Sequence, residues 1–196
     1  MKLPEIVGIG GTNGAGKDTL AELRAQFSHV KTASLSDIIR LELDKQGKPH
    51  TRENMRAVST KWRKEFGSDA LVIETLKQYR VEKMSQGYEG ITITSLRHPG
   101  VVKRLKEEGA LIIWIDGDRR TRFERIKAAT RGRTEDDVSY KEFCEQEDTE
   151  MYPPKGDNDA LDMNGVKEIS DVFIDNNFST RGEYESYLKT FFELGS

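Results

Sequence analysis

The sequence predicts an α/β fold, a three-layer α/β/α sandwich on a mainly parallel five-stranded sheet. Three observations lead there. Five short apolar runs (Ile6 to Ile9, Val30 to Ala33, Ile91 to Thr94, Leu111 to Ile115, Val172 to Ile174) are bounded by polar or glycine punctuation, as strands covered on both faces are. The stretches between them carry helical periodicity. The first run passes through a glycine-rich turn straight into a helix.

That turn is Gly11-Thr12-Asn13-Gly14-Ala15-Gly16-Lys17-Asp18-Thr19, and the helix after it reads from Leu20 to Phe27. Gly11, Gly14 and Gly16 allow the backbone to wrap its N–H groups around a phosphate, and the helix N-terminus adds favourable potential. Lys17 then reaches the terminal phosphates as a point charge. Asp18 stands where the common pattern has Ser or Thr, and the hydroxyl comes one place later, on Thr19.

The second strand leads into a helix from Leu35 to Lys45, striped by Leu35, Ile38, Ile39 and Leu43. Two more helices come next, from Arg52 to Phe66, with Met55, Val58 and Trp62 on one face, and from Asp69 to Gln86. After the third strand comes Val101 to Glu108, punctuated by Gly109. After the fourth comes Arg119 to Ala129, for which Asp116 or Asp118 offers a cap and in which Phe123 and Ile126 face the core. Tyr140 to Glu150 reads as a helix, and Glu183 to Phe192 is a short amphipathic helix after the fifth strand. Two polar segments interrupt this order: Thr130 to Asp137, and Met151 to Gly165 with its two prolines. Both fit a lid or surface loops better than core.

The 196 residues suit one domain. Within it, residues 35–86 form a helical region expected to bind the acceptor, and residues 130–165 a lid with its adjoining loop. A third of the residues are charged, the signs are mixed and the net charge is −3. That balance points away from nucleic acid and toward small phosphorylated ligands held by local arginines. Cys144 is the one cysteine, so no internal disulfide forms, and it reads as a small side chain on a helix face. Neither a signal peptide nor a membrane span is expected, which makes the cytoplasm the default. The quaternary expectation is a monomer or homodimer.

In an open α/β sheet, ligands gather beyond the C-terminal strand ends, and every such end here is polar. Arg97 directly succeeds the third strand and offers a planar fork to a phosphate, with a salt bridge or a helix-capping role as the alternative. Ser36, Asp37 and Arg40 come after the second, where Asp37 either caps the helix or accepts from a ligand hydroxyl. Arg125, and the pair Arg131 and Arg133 around Gly132, could close over transferring phosphates, though a solvated charged turn accounts for the pair equally well. His98 lacks a catalytic partner and reads as structural; His29 and His50 stand alone. A metal held by protein side chains alone is therefore not expected. Mg²⁺ carried by a nucleotide needs few protein ligands, and Thr19 and Asp18 are the candidates.

On the glycine loop, Ser36, Arg97 and the arginine-bearing turn, the chain resembles the P-loop nucleoside monophosphate kinase group. Within it, the chain is similar to the dephospho-coenzyme A kinase-like and phage deoxynucleoside monophosphate kinase-like branches. Lys17-Asp18-Thr19 is similar to the phage-type loop ending. Asp171 to Asn177 is similar to the last strand of dephospho-coenzyme A kinases, beyond which the chain lies near the adenine. The resemblance implies a P-loop NTPase-type fold with a small lid segment, and transfer of the γ-phosphate of ATP to a phosphorylated acceptor. It implies that Gly11, Asn13, Gly14, Ala15, Gly16, Lys17, Asp18, Thr19 and Asn177 hold ATP with Mg²⁺, and that Ser36, Asp37, Arg40 and Arg97 hold the acceptor. Lys17, Arg97, Arg125, Arg131 and Arg133 would be catalytic. Gly132 to Asp137 loosely matches the lid motif, with Glu135 additional. Related proteins often carry an aspartate at the end of the third strand, where this chain has Thr94 and Ser95. Asp18, Asp116 or, through lid closure, Asp148 would have to replace it. Failing that, the chain is a nucleotide-binding regulatory protein with little transfer activity; a nucleotide hydrolase acting as a switch is the other alternative.

Overall fold

The structure is a computed structural model and describes residues 1–129 and 138–195. Five parallel strands form one sheet in the order β2-β3-β1-β4-β5: β1 Ile6–Gly11, β2 Val30–Ser34, β3 Gly90–Leu96, β4 Leu111–Asp116 and β5 Val172–Asp175. The helices are α1 Lys17–Phe27, α2 Leu35–Lys45, α3 Arg52–Phe66, α4 Ala70–Gln86, α5 Pro99–Glu107, α6 Arg119–Ala128, α7 Tyr140–Met151, α8 Met163–Glu168 and α9 Arg181–Phe191. The predicted three-layer sandwich is what the chain forms, and the sheet is parallel throughout. Among the described residues no helix is long and apolar enough to cross a membrane.

Alternation along the strands makes the layers. In β4, Ile112 and Trp114 face a core shared with α4, α5 and α8, while Ile113 and Ile115 face the core under α1 and α9. In β1 the second face carries Val7 and Ile9, and the first carries Gly8 and Gly10 after a half-buried Ile6. A Cβ on Gly8 would lie 2.8 Å from Ile112 Cδ1, so the bare backbone is what lets the neighbouring side chains close over the central strand. Arg24 of α1 is a buried charge that the periodicity did not mark. It donates to the carbonyls of Ile91 at 2.8 Å and Pro4 at 2.5 Å, fastening α1 across the N-terminal ends of β1 and β3. Desolvation there pushes its guanidinium down to about 10.

One expectation needs correction. The segment from Met151 to Gly165 is not merely surface loop: Met151, Leu161 and Met163 are buried, and α8 begins within it, capped by Asp162. Isolated apolar side chains between prolines and glycines hid this packing. The end of β3 is also irregular. Pairing with β1 skips a residue between Thr94 and Leu96, and Ser95 sits in the skip at φ 67, its Oγ 3.3 Å from that of Ser34. This is a bulge with a left-handed non-glycine residue, and it re-aims the chain just before Arg97.

Candidate active site

Beyond the C-terminal strand ends lies a cleft of about 980 Å³. One wall is the glycine loop. Gly11 has φ 138, and a Cβ on it would fall 2.0 Å from the Ile115 carbonyl oxygen. Gly16 has φ 93 and lies against Asn176 and Tyr184. Neither position tolerates a side chain, so the loop is drawn tight onto β4 and the segment after β5. Asn13, Gly14, Gly16, Lys17, Asp18 and Thr19 line the cleft, whereas Gly11 and Ala15 are buried behind it.

Three contacts hold the loop from outside. Thr12 Oγ1 donates to Asp116 Oδ1 at 2.7 Å, and Asn176 Nδ2 to the Ala15 carbonyl at 2.9 Å. Arg122, 3% exposed, donates to the Asn13 carbonyl at 3.0 Å and to that of Gly117 at 2.9 Å. Its remaining charge goes to both carboxylate oxygens of the buried Glu147 on α7. Asp116 therefore anchors the loop and does not line the cleft.

Lys17 sits on the cleft floor with Nζ donating to the Thr12 carbonyl at 2.5 Å. Desolvation first, and then the charges of Arg97, Arg52 and Arg122, push its ammonium down to about 7 against the opposing pull of Asp18. A site that makes an ammonium this uncomfortable is short of an anion. A polyphosphate would supply one. The pKa shift also sets a pH dependence. The free site releases a proton that an unfolded lysine keeps up to its ordinary 10.5, so the cost of burying the Lys17 charge is relieved as pH rises from about 7 toward 10.5, and the empty protein gains stability across that window. A bound polyphosphate reverses this by restoring the ammonium. Calorimetric titration of ATP at pH 8, in buffers of different ionisation enthalpy, is expected to show uptake of about one proton. A count near zero would mean that the Lys17 ammonium is not restored by the nucleotide.

The facing wall is cationic. Ser36, Asp37 and Arg40 of α2, Arg52 and Arg56 of α3, and Arg97 all line it. Arg40 donates to Asp37 at 2.5 Å, so Asp37 serves this pair; it lies within the first turn of α2, whose N-cap is Ser34. Arg97 and Arg52 share the carboxylate of Glu150, which is 4% exposed. Burial raises the pKa of that carboxyl, but the Arg97 and Arg52 charges outweigh burial and hold it below the ordinary carboxylate range. Glu150 had no place among the candidate residues. Its signal was an acidic side chain on the buried stripe Phe143, Glu147, Glu150, Met151 of α7. Asp148 lies off that stripe, exposed and paired with Arg119 at 2.7 Å, away from the cleft.

Arg125 lines the cleft with both terminal nitrogens committed to carbonyls, of Asn176 at 2.9 Å and Phe178 at 2.8 Å, and so shapes the segment after β5. In that segment Asn176 faces the loop. Asn177 is turned outward, its Oδ1 accepting from the Asp118 amide at 2.7 Å. Arg131 and Arg133 lie outside the described residues, as do Gly132 and Glu135. His98 caps α5, its Nδ1 accepting from Gly100 N at 3.1 Å and its Nε2 bonded to the Asn158 carbonyl at 2.9 Å. Trp62 packs beside Ile39, Leu43 and Val58. Among the described residues no group of three or more His, Cys, Asp or Glu side chains is placed to hold a metal ion.

A glycine loop between β1 and α1 of a parallel sheet in this strand order defines a P-loop NTPase-type fold. Shikimate kinase from Acinetobacter baumannii, solved in complex with shikimate, has the same fold at a TM-score of 0.50 and 12% identity, covering 97% of this chain and 94% of that one. No family model matches the chain. It belongs to the UPF0200 family: it is 33% identical over 190 residues to the UPF0200 protein of Methanococcus vannielii, covering 94% of this chain and 91% of that one. To the UPF0200 protein TK1334 of Thermococcus kodakarensis it is 30% identical over 188 residues, 94% of each.

Proposed function

We propose that the protein transfers the γ-phosphoryl group of ATP to the phosphate of a nucleoside monophosphate or a related small phosphorylated acceptor. The observation that carries this reading is the pairing of walls: a phosphate loop with Lys17 faces Arg40, Arg52, Arg56 and Arg97 across one cleft. Two cationic walls suit two phosphorylated ligands meeting end to end. A hydroxyl acceptor would ask for a free carboxylate as general base. The buried carboxylate here, Glu150, is held by two arginines and is a poor one.

In the transfer, an acceptor phosphate oxygen supplies the electron pair for the new bond to the γ-phosphorus. The bond from that phosphorus to the bridging oxygen breaks, and ADP leaves with its electrons. A dianionic acceptor has no proton to lose. Lys17 and the loop N–H groups neutralise the donor phosphates, Arg97, Arg52 and Arg40 hold the acceptor, and Arg125 keeps the segment after β5 in place beside the loop. Mg²⁺ arriving with the nucleotide would neutralise phosphate charge; the Thr19 hydroxyl and Asp18 carboxylate are oxygen donors of the type it takes. Arg131 and Arg133 belong to this proposal as further positive charge.

A second reading, a nucleotide-binding regulatory protein with little transfer activity, draws on Thr94 and Ser95, hydroxyls where related kinases often carry a carboxylate. One assay separates the two: ATP and Mg²⁺ with each nucleoside and deoxynucleoside monophosphate, and with dephospho-coenzyme A, monitoring ADP and the phosphorylated acceptor. Transfer predicts ADP and phosphorylated acceptor in equal amounts. ADP alone would indicate a hydrolase, and nucleotide binding without product the regulatory reading.

A further inference from the structure

We propose that Glu150 is the positioning residue of the acceptor site, holding the guanidiniums of Arg97 and Arg52 side by side so that both present their remaining N–H groups to one phosphate. The inference rests on the phosphoryl-transfer reading for the identity of that phosphate, and on the geometry around Glu150 for the rest.

Glu150 Oε1 accepts from Arg52 Nη1 at 2.9 Å, and Oε2 accepts from Arg97 Nη1. Each arginine thus commits one terminal nitrogen to the carboxylate. Neither arginine has its Nε or second terminal nitrogen sealed in the interior without a partner, and both residues line the cleft, so these donors stay open to it. Without a counter-charge, two guanidiniums this close would repel and turn apart toward water. With it, they form a double fork matched to phosphate oxygens. Arg56, one turn along α3 from Arg52, also lines the cleft and acts on Glu150 through its charge. Three guanidiniums against one carboxylate leave a surplus of two positive charges, the amount that a phosphomonoester dianion neutralises.

The carboxylate is fixed and does not swing. It projects from α7 on the same stripe as Phe143 and Met151, both buried, and Glu147 one turn earlier is bound to Arg122, which in turn grips the carbonyl of Asn13 in the phosphate loop. A single buried face of α7 therefore braces the donor loop through Glu147 and the acceptor arginines through Glu150. A carboxylate that merely occupied the acceptor's place would leave when the acceptor arrives, and its removal would tighten anion binding. A positioning carboxylate does the reverse.

The test uses inorganic phosphate, titrated calorimetrically into protein saturated with a non-hydrolysable ATP analogue so that the loop is already filled. Glu150→Gln is expected to weaken phosphate by about tenfold or more, the scale of losing charge-assisted hydrogen bonds, with affinity for the ATP analogue within about twofold of the parent. Loss of packing alone would lower both affinities together, and that result overturns the proposal, as does phosphate binding that is unchanged or tighter. Should Glu150→Gln not fold, Glu150→Asp carries the same test. It keeps the charge but draws both guanidiniums back by a methylene, and is expected to weaken phosphate about threefold or more without touching the analogue; equal or tighter phosphate again overturns it. Because no turnover is measured, failure of every acceptor to be phosphorylated would overturn the transfer reading and leave this result standing.

Discussion

Replacing Lys17 with methionine is expected to lower phosphoryl transfer about a thousandfold, the scale on which a group that stabilises transition-state charge acts, while leaving the ATP-free protein as stable as before or more so. The two effects share one cause. Methionine keeps the apolar stem and deletes a charge that is desolvated and crowded by Arg97, Arg52 and Arg122. In the empty site that charge is a burden, offset in part by its 2.5 Å bond to the Thr12 carbonyl; in the proposed loaded site it would meet the terminal phosphates. Thermal melting with and without ATP is the direct check. The variant should melt at or above the parent temperature without nucleotide and lose most of the ATP-induced increment. A variant that melts lower while keeping the increment would show that Lys17 serves the fold and not the ligand.

Arg122→Met is expected to have the opposite character, a loss of about 3 kcal/mol in stability, the lower end of the cost of breaking a buried ion pair, because Arg119 Nε still lies 2.9 Å from Glu147 Oε1. Arg122 and Glu147 have side chains 3% and 7% exposed, and two further guanidinium bonds support the Gly117 and Asn13 carbonyls. For a domain of this size the loss corresponds to a fall of roughly 10 °C in melting temperature. Removing Glu147 as well, in Arg122→Met/Glu147→Leu, should recover much of it, since no uncompensated charge remains buried. Additive losses in the double variant would mean that the two side chains stabilise independently. ATP affinity should fall in both variants, because the Asn13 carbonyl loses its support.

Much of this fold was legible because its signals are local. The runs that became strands are short, the three central ones, β1, β3 and β4, are covered on both faces, and α2 and α3 span the residues that periodicity assigned to them. The phosphate loop was legible for the same reason, since glycine spacing, lysine and hydroxyl sit within a single short stretch. Other features stayed hidden because they depend on partners distant in the chain. Glu150 meets Arg52 across 98 positions, and Arg122 meets Asn13 across 109. Nothing in the neighbourhood of either residue names the other. Asn177 was expected to help hold ATP in the segment near the adenine; the structure turns its side chain to the Asp118 amide, and Asn176 is the neighbour that reaches the loop. Successive side chains at a strand end point opposite ways, so one position decides which faces inward. α8 has six residues, too few for its period to register beside Pro153, Pro154 and Gly165.

The left-handed bulge at Ser95 bears on how related chains are to be sorted. A non-glycine residue in that conformation costs on the order of 1 kcal/mol that glycine would not incur. The 3.3 Å contact between the Ser95 and Ser34 hydroxyls offsets part of that cost, so serine is favoured here only where that contact, or another use of the hydroxyl, outweighs the strain. Position 95 is therefore an inexpensive marker. Relatives with glycine there and relatives with serine can be assayed as two groups, and a difference in turnover between them would show what the strained residue is kept for.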